Sequence, residues 1–383
     1  MKSSTEHGRP KLLFLVTEDW YFCSHRLHLA RAAQAAGFQV VVATRVTDHG
    51  ALIEAEGFKL VHLGLSRRRM NPIGELAFLW ELARVYRDER PDIVHHVAVK
   101  PVLYGSLVAR LVHVPGTVNA LAGLGYIFSS SRARARVLRP LVVQAYRLAL
   151  NGEAKRVIIQ NDDDAALLRS LGILGNSSQV TLIRGSGVES DAYPATPEPQ
   201  GVPVVVLPAR MLWDKGVGEF VEAARLLKAR GVQGRFVLVG DADPENPAAI
   251  PQRELRRWQG EGAVEWWGFR SDMANVFAGA NVVCLPSYRE GLPKALLEAA
   301  SCARAVVTTD VPGCREVVRH EDNGLLVPAR DARALANALE RLLTAPALRA
   351  RMGARGRERV VDEFSAARVI DETLRVYGSL VAS

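Results

Sequence analysis

Two glutamates, Glu290 and Glu298, bracket the stretch of this sequence whose residue types point most clearly to chemistry. Between them, Gly291 precedes Pro293, and an apolar run follows. Proline is favoured at the first position of a helix, where its missing N–H costs nothing, so we expect a helix to begin at Pro293. A helix N-terminus behind a glycine favours anions through its unpaired N–H groups and its dipole. Lys294 would add a full positive charge to this predicted phosphate site.

The two carboxylates are predicted to bind hydroxyl groups. A carboxylate can accept two hydrogen bonds from a vicinal diol, and ribose and hexose both offer one. Glu298 lies deeper along the helix and suits ribose hydroxyls, whereas Glu290 lies in the loop and suits a sugar. A lone glutamate on a helix is usually a solvated surface residue. Two that bracket a Gly–Pro helix start within an apolar run favour binding instead.

A second group of residues follows the predicted strand Val204–Leu207. Arg210 and Lys215 would stand at the carboxyl end of that strand, where two fixed cations could hold a diphosphate and stabilise a leaving group. The alternative is a pair of surface cations in a turn. After another predicted strand, the loop 267–270 could stack on a nucleobase or bond it through its backbone. Asp272 is expected to cap the next helix.

These residues belong to a chain of 383 residues in which apolar strands alternate with helical segments. Such alternation predicts parallel sheets covered on both faces. The segment 193–202, YPATPEPQGV, is rich in proline and predicts a linker. We therefore expect two doubly wound, Rossmann-like α/β domains, at 1–192 and 193–364, and a helix at 365–383 placed against the first. Ligands bind at the carboxyl ends of such strands, so the central cleft between the domains is the expected site.

The composition is that of a soluble globular protein, with 48% hydrophobic and 23% charged residues. No run reaches the length of a membrane-spanning helix, and the apolar run Leu12–Val16 is too short for a signal peptide. We therefore expect the protein in the cytoplasm. The four cysteines have neither metal-finger spacing nor the density of a disulfide framework, so we expect reduced, mostly buried thiols.

The net charge of +8 favours polyanionic partners. The densest basic stretches are Arg67–Arg69 and Arg132–Leu150, and each basic residue near anionic lipid adds about 1 kcal/mol to membrane binding. The alternative for Arg132–Leu150 is an ordinary core-facing helix with a solvated basic face. Charge alone also suggests a nucleic-acid-binding protein, but the chain lacks interleaved aromatic and basic residues and any recognisable reading module.

Together these residues resemble glycosyltransferase family 4, a group of retaining transferases with the GT-B fold. The pieces that carry the resemblance are ARMLWDKG, REGLPKALLEAAS, TTDVPGCREVV and NGLLVPARDARALANAL. The glutamates spaced E-x7-E in a predicted strand–loop–helix are the most specific of them. The first half resembles the branch that acts on polyprenyl-diphosphate-linked sugars in envelope polysaccharide or glycan assembly. The pieces there are TEDWYFCSHRLHLARAA, AVKPVLYGSLVAR and NALAGLGYIFSS.

The resemblance implies a role for each matched donor-site residue. Arg210 and Lys215 would contact the donor diphosphate, and Glu298 would bind the ribose. Glu290 would bind the transferred sugar and support charge at its anomeric carbon. Gly291, Leu292 and Pro293 would approach phosphate and sugar through their backbone, next to the charge of Lys294. Phe269 and Arg270 would border the base.

The resemblance also implies residues on the acceptor side. His25, Arg26 and Lys100 would meet acceptor or donor phosphates, and Tyr126 would line the acceptor site. A histidine such as His25, near a predicted helix start, is just as often a structural residue. Many family members place a histidine against the donor sugar where this chain has AGLG at 122–125. The sequence therefore does not identify the sugar.

The implied activity is that of a retaining hexosyltransferase. It would move a hexose or N-acetylhexosamine from a nucleotide-diphosphate sugar, expected to be UDP-linked, to a polyprenyl-diphosphate-linked sugar at the inner face of the membrane. No metal or other cofactor is expected, because cations and helix amides take its place. One alternative is a nucleotide-sugar 2-epimerase, for which the sequence offers no clear acid/base set. Another is a binding protein without catalysis, which Arg210, Lys215 and Glu290 argue against.

Overall fold

The computed structural model describes residues 8–64, 72–121, 133–175, 179–244 and 246–381, with only the backbone described at 72 and 133–138. The chain divides into two compact units. Unit 1 consists of Met1–Ser186 together with Val369–Ser383, and unit 2 is Gly187–Arg368. Each unit is built on one parallel sheet, as the alternating strand and helix pattern predicts.

The sheet of unit 1 has seven parallel strands in the order β3-β2-β1-β4-β5-β6-β7. Their bounds are β1 Lys11–Glu18, β2 Gln39–Arg45, β3 Lys59–His62, β4 Ile93–Val97, β5 Gly116–Leu121, β6 Lys155–Ile159 and β7 Gln179–Leu182. Leu12 in β1 pairs with Val40 on one side and with Ile93 on the other. The strand order therefore reverses between β1 and β4, which is where doubly wound sheets bind ligands.

Helices connect these strands. They are α1 Asp19–His25, α2 Leu27–Ala35, α3 Gly50–Ala55, α4 Pro72–Glu89, α5 Ser106–Leu111, α6 Ala133–Leu150 and α7 Asp162–Ser170. A π-helical turn at Pro101–Gly105 leads directly into α5. The β1 residues Leu12 and Phe14 belong to one buried apolar cluster, and Leu13 and Leu15 belong to another. Both faces of the sheet are therefore covered, because successive residues of a strand point to opposite faces.

Unit 2 repeats the plan with six parallel strands in the order β10-β9-β8-β11-β12-β13. The strands are β8 Val204–Pro208, β9 Arg235–Val239, β10 Glu265–Trp266, β11 Val282–Leu285, β12 Ala305–Thr309 and β13 Gly324–Val327. The helices are α8 Val217–Ala229, α9 Gln252–Gly260, α10 Met273–Ala278, α11 Lys294–Ser301, α12 Cys314–Val317, α13 Ala332–Thr344 and α14 Pro346–Glu363. The strand order reverses between β8 and β11, so the loops after these two strands occupy the expected ligand position.

The last helix, α15, spans Ala366–Val381, and from Val369 onward the chain belongs to unit 1. Val376 and Tyr377 lie in the buried cluster that also contains Phe14 and Phe38. All four cysteines are free thiols and three of them are buried, which agrees with the sequence prediction.

The segment 193–202, interpreted from sequence as a linker, is instead fastened to unit 2. The Ser301 hydroxyl donates to the Tyr193 carbonyl oxygen at 2.9 Å. The Arg349 guanidinium donates to Glu198 at 2.9 Å. The buried Arg304 donates to the Thr196 hydroxyl at 2.5 Å. The division between the units falls before this segment, after Ser186, rather than after 192.

Candidate functional site

The loops that follow β8 and β11 approach each other closely at Gly216. This glycine has φ 71°, and a Cβ atom added to it would lie 2.1 Å from the carbonyl oxygen of Pro286. The Tyr288 amide donates to the Asp214 carbonyl at 2.9 Å and joins the same two loops. Only glycine allows this contact, because any other side chain would meet backbone in a left-handed conformation.

The close approach brings together two of the residues predicted from sequence. The Lys215 Nζ atom lies 2.5 Å from Glu290 Oε1, and the Ser287 hydroxyl donates to the same oxygen at 2.6 Å. The side chains of Lys215 and Glu290 are 22% and 11% exposed. Among the described residues no donor reaches Glu290 Oε2. One carboxylate oxygen is thus held, and the other remains available for a hydroxyl group.

The loop after β12 supports Glu290 from a third direction. Gly313 has φ 80°, and a Cβ atom there would lie 2.4 Å from the Gly291 carbonyl oxygen and 2.7 Å from that of Glu290. The Thr309 hydroxyl donates to the carbonyl oxygen of Ser287. Backbone contacts therefore fix the loop 287–291 on both sides. The motif TTDVPGCREVV therefore contributes to the site by supporting the loop that carries Glu290.

Arg210 lies beyond the carboxyl end of β8 and is paired with Asp243 at 2.6 Å. The Arg210 side chain is 44% exposed, whereas that of Asp243 is 15% exposed. Gly240 makes this arrangement possible, because a Cβ atom on it would lie 2.0 Å from the Ala209 carbonyl oxygen. Asp243 was not predicted from sequence, since its contact joins residues 33 positions apart. A diphosphate that reaches Arg210 would compete with this carboxylate.

The helix α11 begins one residue later than expected. Pro293 is the N-cap residue and Lys294 is the first helical residue. Lys294 Nζ lies 3.2 Å from Glu298 Oε1 on the next turn, so its charge is shared with that carboxylate instead of being reserved for a phosphate. Gly291 and Leu292 lie in the loop before the helix, and Leu292 packs against the apolar core of unit 2.

Glu298 is only 6% exposed and has a partner that the sequence did not suggest. The Tyr193 hydroxyl donates to Glu298 Oε1 at 2.8 Å. Burial, and then the charge of Glu298, raise the pKa of Tyr193 far above its ordinary value, so the phenol stays protonated. The tyrosine was missed because it opens the proline-rich segment that was interpreted as a linker.

The loop after β10 has a different character. Phe269 is 71% exposed, and Trp267 beside it is 36% exposed. Arg270 makes two hydrogen bonds to Asp272, at 2.7 and 2.6 Å, and the bonds from Arg270 lower the pKa of Asp272 to about 2. Asp272 occupies the N-cap position of α10, but its side chain makes no capping hydrogen bond, which corrects the expectation from sequence. The loop presents aromatic surface rather than a free cation.

In unit 1, the structure separates two neighbouring predicted residues. His25 is the last residue of α1, not near its start as expected; its Nδ1 lies 2.6 Å from the Ser24 hydroxyl and its ring stacks on Tyr21 at 4.2 Å. Arg26 joins α1 to α2 and is only 4% exposed. Burial, and then the charge of Arg26, hold the pKa of His95 well below its ordinary value. The guanidinium of Arg26 therefore acts within the interior of unit 1.

Lys100 follows β4 and donates to Glu75 of α4 at 2.9 Å. It lies just after Ala98, which has φ 79°, a backbone conformation that is rare for residues other than glycine. Tyr126 and Arg67–Arg69 lie outside the described residues, as does the start of Arg132–Leu150. Within α6, Leu141 and Leu148 are 70% and 55% exposed.

Among the described residues, no group of three or more His, Cys, Asp or Glu side chains could hold a metal ion. No helix in that part of the chain combines the length and the apolar character needed to cross a bilayer.

Two family models match the chain. The model described as "Glycosyl transferases group 1" matches residues 202–345, which lie in unit 2. The model described as "Glycosyl transferase 4-like" matches residues 11–161, which lie in unit 1. The first model covers all six strands of unit 2, and the second covers β1–β6 of unit 1.

Curated relatives match over most of their length. The chain is 29% identical over 337 residues (85% of this chain, 87% of the relative) to the N,N'-diacetylbacillosaminyl-diphospho-undecaprenol alpha-1,3-N-acetylgalactosaminyltransferase of Campylobacter jejuni. It is 30% identical over 326 residues (76% and 79%) to the alpha-maltose-1-phosphate synthase of Mycobacterium tuberculosis. Among solved structures, HepE of Anabaena in complex with UDP and glucose superposes with a TM-score of 0.77 at 17% identity (97% and 100% covered).

Proposed function

Since this chain belongs to glycosyltransferase family 4 and is a hexosyltransferase with the GT-B fold, we propose that it is a retaining enzyme with a UDP-sugar donor. The sugar would be a hexose or N-acetylhexosamine, and the acceptor a polyprenyl-diphosphate-linked sugar. The observation that carries the proposal is the Lys215–Glu290 pair, 2.5 Å apart, between the loops that follow β8 and β11. A cation for a departing phosphate and a carboxylate for a sugar stand side by side there.

The donor assignment rests on the charges of unit 2. Lys215 and Arg210 would bind the diphosphate, and the backbone N–H groups at the start of α11 would add to the attraction. Glu298 would accept the ribose hydroxyls, and the exposed ring of Phe269 would border the base. UDP is favoured over other nucleotides because the structural neighbour HepE was solved with UDP and glucose.

The acceptor assignment rests on the Campylobacter relative, whose name specifies a sugar carried on diphospho-undecaprenol. In unit 1, Lys100 follows the carboxyl end of β4, next to the point where the strand order reverses. His25, Arg26 and Tyr126 complete the proposed acceptor set. Arg26 is the weakest member by geometry, because it is only 4% exposed.

The proposed reaction replaces one bond at the anomeric carbon. The bond from that carbon to the diphosphate oxygen breaks, and a bond to the acceptor hydroxyl oxygen forms on the same face of the sugar. The hydroxyl proton passes to a phosphate oxygen of the departing nucleotide, so no side-chain base is needed. Lys215 and Arg210 would stabilise the leaving diphosphate, and Glu290 would stabilise the positive charge at the anomeric carbon.

The reaction is proposed to need no metal ion, because Lys215, Arg210 and the α11 amides supply the positive potential that a metal would otherwise supply. Activity should therefore be unchanged after exhaustive chelation. A rate that falls on chelation and returns with added Mg²⁺ or Mn²⁺ would refute this part of the proposal.

The enzyme is also proposed to work at an anionic membrane surface. Ile73, Leu76 and Trp80 of α4 are 77%, 67% and 67% exposed, and their spacing places them on one face of the helix. Arginine is the only charged residue type in the α6 sequence. Co-sedimentation with vesicles of anionic lipid should fall when Trp80 is changed to serine and when salt is raised. Binding that ignores both changes would refute the membrane surface.

The decisive test of the activity is a donor and acceptor screen. UDP- and GDP-sugars are offered together with a polyprenyl-diphosphate sugar, and the product is isolated and its anomeric configuration determined by NMR. The proposal expects transfer from a UDP-sugar with retained configuration. An inverted product would refute the retaining mechanism, and transfer only from GDP-sugars would refute the UDP assignment.

A further inference from the structure

Tyr193 contacts Glu298 although the two residues are 105 positions apart and lie in different parts of unit 2. We infer that Tyr193 is a positioning residue, whose hydroxyl fixes one oxygen of Glu298 so that the other is presented to the ribose diol of the nucleotide. The inference rests on the proposed function, because a nucleotide must occupy the site. It goes further in giving a role to a residue of the proline-rich segment.

The two oxygens of Glu298 have different surroundings. Oε1 receives the Tyr193 hydroxyl at 2.8 Å and lies 3.2 Å from Lys294 Nζ. Oε2 has no donor among the described residues, yet it is not sealed away from solvent. The hydrogen bond from Tyr193 and the ion pair with Lys294 both act on Oε1 and so restrict the rotation of the carboxylate. The lone pairs of the second oxygen can then accept the hydroxyl groups of a vicinal diol.

Tyr193 is itself held firmly against α11. Its carbonyl oxygen accepts hydrogen bonds from the Ser301 hydroxyl at 2.9 Å and from Arg357 at 3.1 Å. Its ring packs against Phe277, with 6.3 Å between the ring centroids. Ser301 lies on the same helix as Glu298, so the distance from the Tyr193 hydroxyl to the carboxylate is set by the helix.

Lys294 alone would not fix the carboxylate in the same way. The lysine is a compact charge on a flexible stem, and its side chain is 27% exposed. The phenol is rigid and donates along one direction. Because burial and the charge of Glu298 raise the pKa of Tyr193, the hydroxyl remains a donor throughout the pH range in which the enzyme would work.

Nucleotide binding by Tyr193→Phe tests the inference, because this variant removes one oxygen atom and keeps the ring. UDP, GDP and ADP are titrated against the wild-type chain by calorimetry, and the tightest binder is kept as the probe. We expect its Kd to rise about tenfold in the variant, since a hydrogen bond to a charged acceptor is lost. The donor KM should rise while kcat changes little, because the ribose is held alike in the ground and transition states.

The affinities of the 2'-deoxy and 3'-deoxy analogues of the probe distinguish a positioning role of Tyr193 from a merely structural one. The wild-type chain should lose about tenfold in affinity for at least one analogue, because a buried hydrogen-bonding group is then left without its partner. In Tyr193→Phe that penalty should shrink to about threefold or less, because Glu298 no longer holds its orientation. An unchanged penalty would overturn the inference.

Two further variants separate the hydroxyl from the segment that carries it. Ser301→Ala removes one bond to the Tyr193 carbonyl but keeps the phenol, the bond from Arg357 and the packing on Phe277, so its Kd should stay near the wild-type value. When Tyr193→Phe is added to Glu298→Gln, it should cause little further loss of nucleotide affinity, because both substitutions act through the same carboxylate. Equal losses from Ser301→Ala and Tyr193→Phe, or losses that multiply in the double variant, would overturn the inference. Thermal unfolding checks that each variant is folded.

Failure of the proposed function would look different. In that case the wild-type chain would bind none of the three nucleoside diphosphates, and both the function and this inference would fall. If the wild-type chain binds a nucleotide and Tyr193→Phe binds it equally well, only the role of Tyr193 is overturned.

Discussion

The two units use the carboxyl ends of their central strands differently. In unit 2, charged side chains from separate loops meet in pairs that remain partly accessible, as Lys215 and Glu290 do at 22% and 11% exposure. In unit 1, the loop that follows β1 uses its carboxylate for the fold. Asp19, just after β1, accepts hydrogen bonds from the amides of Trp20, Thr47 and His49 and from the Thr47 hydroxyl. Loops at the same position of two similar sheets can therefore present charged pairs, as after β8 and β11, or close on themselves, as after β1.

The way in which each unit fixes its loops follows the same contrast. Unit 2 relies on glycines that let backbones touch, and Gly216 is the clearest case. Unit 1 relies on a buried carboxylate. Burial opposes the ionisation of Asp19, but the bonds from Thr47 and His49 outweigh it and lower its pKa. The glycine loops leave side chains free for a ligand, whereas the Asp19 loop uses its charge internally.

The largest combined effect on stability and rate is expected from Gly216→Ala. The new methyl group would lie 2.1 Å from the Pro286 carbonyl oxygen at φ 71°, so the loops that carry Lys215 and Glu290 must separate. We expect a loss of about 3 kcal/mol in unfolding free energy and a rate at least about 100-fold lower. Calorimetry and an initial-rate assay measure the two quantities.

Gly231→Ala is the matched control for that change. Gly231 has φ 74°, but a Cβ atom there meets nothing within 4 Å. We expect Gly231→Ala to lower the unfolding free energy by about 1 kcal/mol, through conformational strain alone, and to leave the initial rate unchanged. If both variants behaved alike, the close approach at Pro286 would not be what holds the site together.

Removal of the two cations should come next in size. Lys215→Ala leaves Glu290, whose side chain is 11% exposed, without its cation, and we expect a rate about 100-fold lower. Arg210→Ala should lower the rate about tenfold, because Arg210 is 44% exposed and already shared with Asp243. Steady-state kinetics with the donor varied measures both.

Arg230→Ala provides the comparison for the cations. Arg230 pairs with Glu340 on the surface of unit 2, where both side chains are 36% exposed. The rate should be unchanged and the stability should fall by less than about 1 kcal/mol. A loss of activity equal to that of Lys215→Ala would show that the effects come from net charge and not from the site.

In unit 1 the expected effect is on stability alone. His96 is fully buried, and burial lowers its pKa to about 4, against the raising effect of its bond to Asn119. Below pH 6.5 His96 is protonated in the unfolded chain but stays neutral in the folded chain. The free energy of unfolding therefore falls as the pH falls. Between pH 7 and pH 5 the loss should be about 2 kcal/mol.

His96→Gln tests this assignment, because glutamine keeps hydrogen-bonding capacity toward Tyr86 and Asn119 and does not titrate. Calorimetric unfolding at pH 7 and pH 5 should show a smaller pH dependence in the variant. Equal pH dependence in both chains would exclude His96 as the source. Activity assays are not needed, since the network lies in the interior of unit 1.

The sequence predicted the sheets and the Lys215–Glu290 region because both depend on local patterns. Apolar strands alternate with helices, and Lys215 and Glu290 each stand next to a glycine. Helix ends are less well determined by sequence, and Pro293 proved to be the N-cap rather than the first helical residue. The partners Asp243 and Tyr193 could not be predicted, because they meet Arg210 and Glu298 only after distant segments pack.

The neighbours His25 and Arg26 show another limit of sequence. Arg26 lies between α1 and α2 with φ −128°, so the continuous helix expected from sequence does not reveal which of the two side chains faces the interior. The structure leaves His25 partly exposed and buries Arg26.

A position of high positive φ, such as that of Gly216, could have been inferred from the sequence Asp-Lys-Gly at a helix start.

We propose that the Lys215–Glu290 pair of unit 2 performs sugar transfer. The most direct measurement is the initial rate of transfer from a UDP-sugar for the wild-type chain, Glu290→Gln and the surface control Glu340→Gln, with UDP affinity and thermal unfolding measured on the same samples. We expect a rate at least about 1,000-fold lower for Glu290→Gln alone, with UDP affinity and thermal unfolding unchanged. A near-normal rate in Glu290→Gln would show that this pair does not perform the transfer.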